Sequence, residues 1–446
     1  MTAVPALHEE LAPAVAATAE TRAAEIAGPR TWWAGPLDVE GLALGSVQAA
    51  LSAAQLLFGP PARFFSDSAS VRSAFNSLAH LRVDGRAPEQ FAPLSGYFAT
   101  SDGWVRLHAN YPHHARALRT ALQVTTKDEA VRRLAGLAAD EVADRVTSAG
   151  GLAVALRTAQ EWRDSPMGRA VREQPWIRFA LAEGRTRALP EPGSLDGVRI
   201  LDFTRVIAGP IATRLLALLG AEVLRVDPPD NPELADQYID AGFGKRSAVA
   251  DCADPRQLET VLALAASADA VVCGYRPGAL RRFGLDAQSL RERFPDLVVV
   301  TLDAWGDEGP WGDRRGFDSL VQCATGIGER YGRTGAGGEW RPGALPCQAL
   351  DHATGYGAAA AVLALLARRR EAGPGWAHLS LARTAQLLLD LPPVEHAARE
   401  LPVATGEFDS AHGKLRYAQP PVFTAAKRLQ YRWPPGRYGA DPLAWA

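Results

Sequence analysis

Apolar positions in the second half of the chain fall into short unbroken runs separated by helical patterns. The runs at 198–203, 221–227, 270–273 and 297–302 read as strands buried on both faces, as in a parallel sheet. The first two flank a turn at 204–210 and an apolar helical pattern at 211–219 that stops at Gly220, where glycine ends helices readily. This is one βαβ unit, and such units place ligands at the carboxyl ends of their strands. A strand at 247–251, a helix at 255–267, a mostly helical 278–294 and a helical 318–327 follow. A Gly-rich loop at 332–343 then leads to a long Ala-rich helix at 354–370. The alternation predicts an α/β fold built on an open, mostly parallel, Rossmann-like sheet with helices.

The first half has a different pattern. Residues 1–34 are Ala/Glu-rich and predicted helical or partly disordered, and 42–58 form a helix stopped at Gly59-Pro60-Pro61. Two alternating strands within 95–111 flank Ser101-Asp102-Gly103, a hairpin signal. Residues 112–183 read as helical pieces broken at Gly150-Gly151 and Asp164-Ser165-Pro166. A Pro/Gly-rich linker at 184–194 sets the domain boundary. The expected organisation is an extension (1–35), a smaller α+β domain (36–183), the linker (184–194), a large α/β domain (195–390) and a C-terminal segment (391–446). The last is basic and Pro-rich from Lys414, and its expected role is docking against another chain.

At 446 residues one core is too few. A net charge of −2 argues against nucleic acid and anionic membranes as partners. The four cysteines, Cys252, Cys273, Cys323 and Cys347, are far apart, which argues against a zinc site or a disulfide framework. Glu9 and Glu10 interrupt the N-terminus and no apolar core of a leader follows them. The longest apolar run, 358–367, is about half of a membrane span. A cytoplasmic protein is expected.

The turn at 204–210 contains one glycine, Gly209, and lacks the spacing of a dinucleotide fingerprint. Asp227 stands where a ribose-binding acid would, but alone it does not make an NAD site. Asp351 follows Leu350 and opens the long helix. As an N-cap it would accept the free N–H groups and be kept ionised by the helix dipole. The same carboxylate can act as a nucleophile on an activated carbonyl. Arg205, Lys245, Arg246, Arg276, Arg282 and Arg315 recur at strand ends, a pattern that suits a polyphosphate. His113-His114 reads as a surface turn, and His352 follows Asp351 but points elsewhere on a helix.

With these motifs in place, the chain resembles the class III CoA-transferases of the CaiB/BaiF type. That family includes carnitine, formate and bile-acid CoA-transferases and the α-methylacyl-CoA racemases. The carriers are LDGVRILDFTRVIAGPIATRLLALLGAEVLRVDPP, KRSAVAD, YRPGALRRFGLD, GFDSLVQCATG and LDHATGYGAAAAVLALLARR, in family order across about 195–389. SGYFATSDGWVRL and GLAVALRTAQEWRDSPMGRAV, within about 85–180, resemble the family's small domain, which normally follows the large one. The chain thus looks permuted, or like two partial copies fused. Segments 36–58 and 375–390 are faintly alike, and the tail from Arg416 resembles the family's return segment.

The resemblance implies a CoA-transferase that moves CoA from an acyl-CoA to a carboxylic acid, with Asp351 as the nucleophile and an aspartyl-CoA thioester on the way. Backbone N–H groups near the helix start would stabilise oxyanions. It implies CoA contacts at Ile207, Ala208, Gly242, Lys245, Gly274, Tyr275, Arg276, Arg282, Arg315, Phe317 and Asp318. No cofactor is held permanently; coenzyme A and acyl-CoA are substrates, and the partner is a second copy in an interlocked homodimer. Ile207 replaces a glutamine of some transferases, Pro228-Pro229 removes a basic side chain, and no glycine loop is recognisable near 85–95. The racemase branch carries a Gly-His-Asp motif that here reads Gly316-Phe317-Asp318. Phenylalanine carries no proton, so transfer is favoured over racemisation or epimerisation. A catalytically inactive CoA-binding protein is the remaining alternative.

Overall fold

The computed structural model describes residues 4–15, 22–33, 35–60, 62–89, 91–184, 187–191, 193–394, 398–425 and 427–446. Pro61 of the expected helix stop lies outside the described residues. So do positions 1–3, 16–21 and 34 of the N-terminal stretch and 185–186 and 192 of the linker.

The predicted runs form one seven-stranded sheet. Its order is Arg246–Val249, Glu222–Asp227, Arg199–Phe203, Ala270–Cys273, Val298–Asp303, Gly375–Ser380 and Arg178–Leu181. The first six strands are parallel and the last is antiparallel to Gly375–Ser380. Strand order reverses between Arg199–Phe203 and Ala270–Cys273, which opens a crevice at their carboxyl ends. Ile200 packs into the core on one face and its neighbour Leu201 into the core on the other. Double burial is why these strands are continuously apolar.

Arg178–Leu181 escaped the pattern because its apolar run, Phe179-Ala180-Leu181, is short and half-exposed and directly follows helical pieces, which a strand of this length does not stand out from. It lies before the expected linker, yet it completes the large sheet. The helix Val39–Phe58 likewise packs along Ala349–Arg369, which packs in turn on Ala208–Leu218. The unit expected at 36–183 therefore shares its ends with the large domain. The faint likeness of 36–58 to 375–390 is not one of placement, since Gly375–Ser380 is a sheet strand. Val39–Phe58 and Ala349–Arg369 are both long and apolar enough to cross a membrane, but both are largely buried inside the protein.

The rest of the smaller unit has its own core. The hairpin Gly96–Ala99 and Trp104–Leu107 is joined by Ala153–Ala155, and Leu107, Leu118 and Val142 pack beneath it. It docks on the helix Asp318–Ala324, where the Arg157 N–H donates to the Cys323 carbonyl at 3.2 Å. It thereby covers the crevice of its own chain.

Near the N-terminus a 3-10 helix, Leu7–Ala14, and a strand, Glu25–Ala27, stand where helix or partial disorder was expected. The C-terminal segment packs on its own sheet. The Gly244 N–H donates to the Trp433 carbonyl at 3.0 Å, and the Ser247 N–H donates to Asp441 Oδ2 at 2.7 Å. The tail thus covers the open edge strand Arg246–Val249, which an exposed sheet edge requires.

Candidate active site

The crevice holds a cavity of about 550 Å³. Its wall begins at the turn after Arg199–Phe203. Asp202 is wholly buried and accepts from the Thr204 N–H at 2.9 Å, from Thr204 Oγ1 at 2.5 Å and from Thr213 Oγ1 at 2.5 Å. Lys245 Nζ completes this cluster, 3.2 Å from Asp202 Oδ2 and 2.8 Å from the Pro210 carbonyl. The cluster clamps the turn to the first turn of Ala208–Leu218. A Cβ on Gly209 would lie 2.3 Å from the Thr204 side chain, so the turn's single glycine is there for close packing. Ala208 and Gly209, in the first turn of an 11-residue helix without a side-chain cap, carry N–H groups with no intrahelical partner. Such an end favours an anion.

Eight of the twelve expected site residues line this cavity: Ala208, Gly274, Tyr275, Arg276, Arg282, Arg315, Phe317 and Asp351. Arg276, Arg282 and Arg315 form no ion pair among the described residues. Burial and then Arg276 hold the Arg315 guanidinium below its ordinary value, the signature of cations gathered without an anion. Ile207 and Asp318 line a neighbouring cavity instead. Gly242 ends the helix Ala235–Ala241, where a Cβ would press on Pro435 at 2.8 Å. Lys245 is 5% exposed and turned inward; burial holds its ammonium down at about 8 even beside Asp202. Gly242 and Lys245 therefore support the turn from behind and do not face the cavity.

The other basic candidates divide as well. Arg205 lines the cavity but leans on Glu233 at 3.7 Å. Arg246 pairs with Glu222 at 3.4 Å at the sheet edge. Asp227 is bound to Arg225 at 2.6 Å and 3.0 Å, so its place at a strand end serves an ion pair and not a ribose.

Asp351 is not the helix cap. The helix spans Ala349–Arg369 with Gln348 as its cap, and Asp351 lies inside the first turn. The carboxylate that satisfies this end belongs to Asp318, whose Oδ2 accepts from the Leu350 N–H at 3.0 Å and the Asp351 N–H at 3.1 Å. The Ala349 and His352 N–H groups bond to the Cys347 and Gln348 carbonyls at 2.8 Å and 3.1 Å. The N–H groups expected to stabilise oxyanions are thus already engaged. Gly355 brings the helix in, since a Cβ there would lie 2.4 Å from the Ala208 carbonyl oxygen.

The electrostatics also differ from the capped picture. Burial, and then the charge of Asp318, raise the Asp351 carboxyl well above its ordinary value. Burial raises Asp318 to about 6 against the hydrogen bonds it accepts from Gln322 and from the Asp351 and Leu350 N–H groups. Two carboxylates in one dry site do not ionise together easily. Asp318 accepts from three donors, Gln322 and the Leu350 and Asp351 N–H groups, so it is the better placed of the two for the first negative charge.

Several cavity residues come from the smaller unit and were invisible in the sequence as site residues. Tyr111, His113 and His114 line the cavity with Asp351. His114 is 4% exposed with both ring nitrogens unpartnered, so the expected surface turn is a buried wall. Its imidazole is held down at about 3 by burial, then by His113, Arg315 and Arg205. His108 stacks on Phe317 with ring centres 3.9 Å apart. His352, as expected, points away from Asp351; it stacks on Phe75 and lines the neighbouring cavity. Only the pairing of a histidine cluster with the end of the hairpin could have suggested a site here.

Residues 195–428 match the model of CoA-transferase family III. The chain is 37% identical over 192 residues to a probable fatty acyl-CoA transferase, Rv3272, of Mycobacterium tuberculosis, covering 40% of this chain and 48% of that protein. It is 33% identical over 193 residues to the succinyl-CoA:glutarate CoA-transferase of Homo sapiens, covering 41% and 43%. The solved structure of Rv3272 aligns with 35% identity over 45% of this chain and 58% of that one, with a TM-score of 0.40. The chain thus spans about half the length of the curated relatives it matches. The family model covers more than half of the chain, from the strand that opens the crevice, through the turn and the Asp351 helix, to the C-terminal strands; the chain belongs to CoA-transferase family III.

Proposed function

We propose that the chain transfers CoA from an acyl-CoA to a carboxylic acid, with Asp351 as the nucleophile. One observation carries the reading: the Asp351 side chain lines the same cavity as Arg276, Arg282, Arg315 and the open end of Ala208–Leu218. The arginines and the helix end suit the phosphates of CoA. The cavity then leads the thioester to Asp351.

Ionised Asp351 attacks the thioester carbonyl; the C–S bond breaks, giving a mixed anhydride and CoA thiolate. The thiolate attacks the aspartyl carbonyl, releasing the first acid as its carboxylate and leaving an aspartyl-CoA thioester. The acceptor carboxylate attacks that thioester and expels the thiolate again. The thiolate then takes the acyl group from the new anhydride and frees Asp351. No net proton is consumed. The Asp351 proton must be given up before the first attack, so occupation of the arginine-lined cavity is coupled to ionisation. A dimer is part of this proposal; sedimentation equilibrium checks it, and a strict monomer would count against it.

Peptide mass spectrometry after incubation with a panel of acyl-CoAs, with hydroxylamine as the trap, tests the reading. Modification of Asp351 is the expected result. An unmodified Asp351 in a protein that CoA stabilises against heat would overturn it.

A second reading rests on His114. Its unpartnered nitrogens share the cavity with Asp351, so a proton carrier stands near the place where Phe317 breaks the racemase motif. Exchange of the α-proton of a 2-methylacyl-CoA in deuterated water, lost in His114→Gln, would favour racemisation.

A further inference from the structure

The strand Gly375–Ser380 carries a buried imidazole. His378 is 4% exposed. Its Nε2 lies 2.9 Å from Asp303 Oδ2 and its Nδ1 3.8 Å from Asp307 Oδ1. Trp376 stacks on it with ring centres 5.9 Å apart. From the edge strand, Arg178 pairs with Asp307 and, at 2.9 Å, with Glu308. Among the described residues the ring thus has two carboxylates against it, and a guanidinium with a third carboxylate beyond them. Such an imidazole pairs both acids when protonated and leaves them less compensated when neutral. Burial pushes His378 down and Arg178 opposes its charge, but Asp303 and Asp307 outweigh both and hold it above its ordinary value.

Asp303 is where this cluster meets the cavity. It closes the strand Val298–Asp303, lines the cavity wall and caps the turn that follows, where the Gly306 N–H donates to its Oδ1 at 2.6 Å. The segment 304–317 leaves from this turn and comes back to the cavity with Arg315 and Phe317. Its return is pinned to its root. Trp305 Nε1 donates to the Arg315 carbonyl at 3.2 Å. A Cβ on Gly316 would lie 2.5 Å from the Ala304 Cβ and 2.7 Å from Trp305 Nε1, so the residue between Arg315 and Phe317 touches the root directly. A shift of Ala304 and Trp305 therefore moves Arg315. Two anchors hold the root: the Ala382 N–H, which donates to the Ala304 carbonyl at 2.9 Å, and His378 through Asp303 and Asp307. Of the two, the His378 anchor changes its charge with pH.

We propose that His378 is a positioning residue for CoA: by holding Asp303 and Asp307 it fixes the root at 303–307, and through Trp305 and Gly316 the root sets Arg315 in the cavity. The hold is complete while His378 is charged and is lost as pH rises through its raised value. CoA therefore binds more weakly at higher pH. This placement rests on the reading that CoA lies on Arg315. It asks nothing of Asp351, so CoA binding tests it apart from transfer.

Calorimetry with CoA between pH 6 and 9 tests it on the parent protein, His378→Gln, Arg315→Ala and the double variant. His378→Gln keeps an N–H for Asp303 and never carries the charge. At pH 6 it should bind CoA about three- to tenfold more weakly than the parent, and the two should converge as rising pH removes the parent's charge. Added to Arg315→Ala, His378→Gln should weaken binding no further, because its effect passes through Arg315. An unchanged affinity, a loss that is equal at every pH, or a loss that adds in full to that of Arg315→Ala overturns the inference and leaves CoA transfer through Asp351 standing. If thermal melting shows that His378→Gln does not fold, Asp307→Asn decides. With one carboxylate fewer against the ring, the fall in CoA affinity should move to lower pH; a fall that stays in place overturns the inference. If Arg315→Ala binds CoA as the parent does, the reading of the cavity fails and this inference fails with it.

Discussion

The Asp351 N–H donates to Asp318 Oδ2 at 3.1 Å, so the nucleophile candidate is tied by its own backbone to a second acid. That second acid raises the Asp351 carboxyl. Asp318→Asn keeps a carbonyl oxygen for the two N–H groups and removes the charge. Its acylation rate, followed by mass spectrometry between pH 5 and 9, should reach its plateau at lower pH than that of the parent protein. Each pKa unit lost is worth about tenfold in rate on the acid limb. A profile that does not move, or moves to higher pH, contradicts the coupling.

The same pair sets a stability prediction. Asp351 binds its proton more tightly in the folded chain than in the unfolded one, where its value is ordinary, 3.8. Its stabilising contribution is complete below that value and is lost as pH rises toward the raised folded value. Asp351→Asn removes this loss, and on the proposed mechanism it also abolishes transfer. The variant should be more stable by about 1–3 kcal/mol at pH 8 and little changed at pH 4.5. Urea denaturation at the two pH values measures it, and equal or lower stability at pH 8 refutes the buried-acid picture.

Much of the fold was legible because burial on both faces makes parallel strands continuously apolar. Arg199–Phe203, Glu222–Asp227, Ala270–Cys273 and Val298–Asp303 were found within two residues of the observed ends. The half-exposed edge strand Arg178–Leu181 has only a short apolar run next to helical pieces, and with it went the sharpness of the domain boundary. That Asp351, Arg276, Arg282 and Arg315 line one cavity was legible from strand ends and the family motifs. The inward turn of Lys245 was not, since a lysine in a loop looks the same whether it meets a ligand or a buried aspartate. His114 was hidden because docking of one unit on another leaves no local pattern.

Lys245 and Arg315 were read alike, and the structure separates them. Lys245→Met leaves Asp202 buried without its cation, a loss of about 3–5 kcal/mol. Arg315→Ala removes a cavity cation from surroundings already rich in positive charge; stability should change by less than about 1 kcal/mol. CoA affinity should fall by about tenfold in Arg315→Ala. Chemical denaturation and calorimetry with CoA together check the pair. The reverse pattern would mean that Lys245 faces the ligand after all.

Tyr111 connects the smaller unit to the turn. Its hydroxyl donates to Glu233, which is fully buried in its side chain, accepts the Val206 N–H at 2.7 Å and meets Arg225 at 3.2 Å. Burial opposes ionisation of Glu233, but Arg225, Arg205 and the Tyr111 hydroxyl outweigh it and hold the carboxyl below its ordinary value. Tyr111→Phe keeps the ring that lies under Arg205 and deletes only the hydroxyl. Stability should fall by about 1–2 kcal/mol. The loss should be local, because the core of the smaller unit is separate. Hydrogen exchange should quicken at 204–210 and 108–114 and stay unchanged in Val298–Asp303. Uniform quickening would mean that the hydroxyl supports the whole fold and not the contact between the smaller unit and the turn.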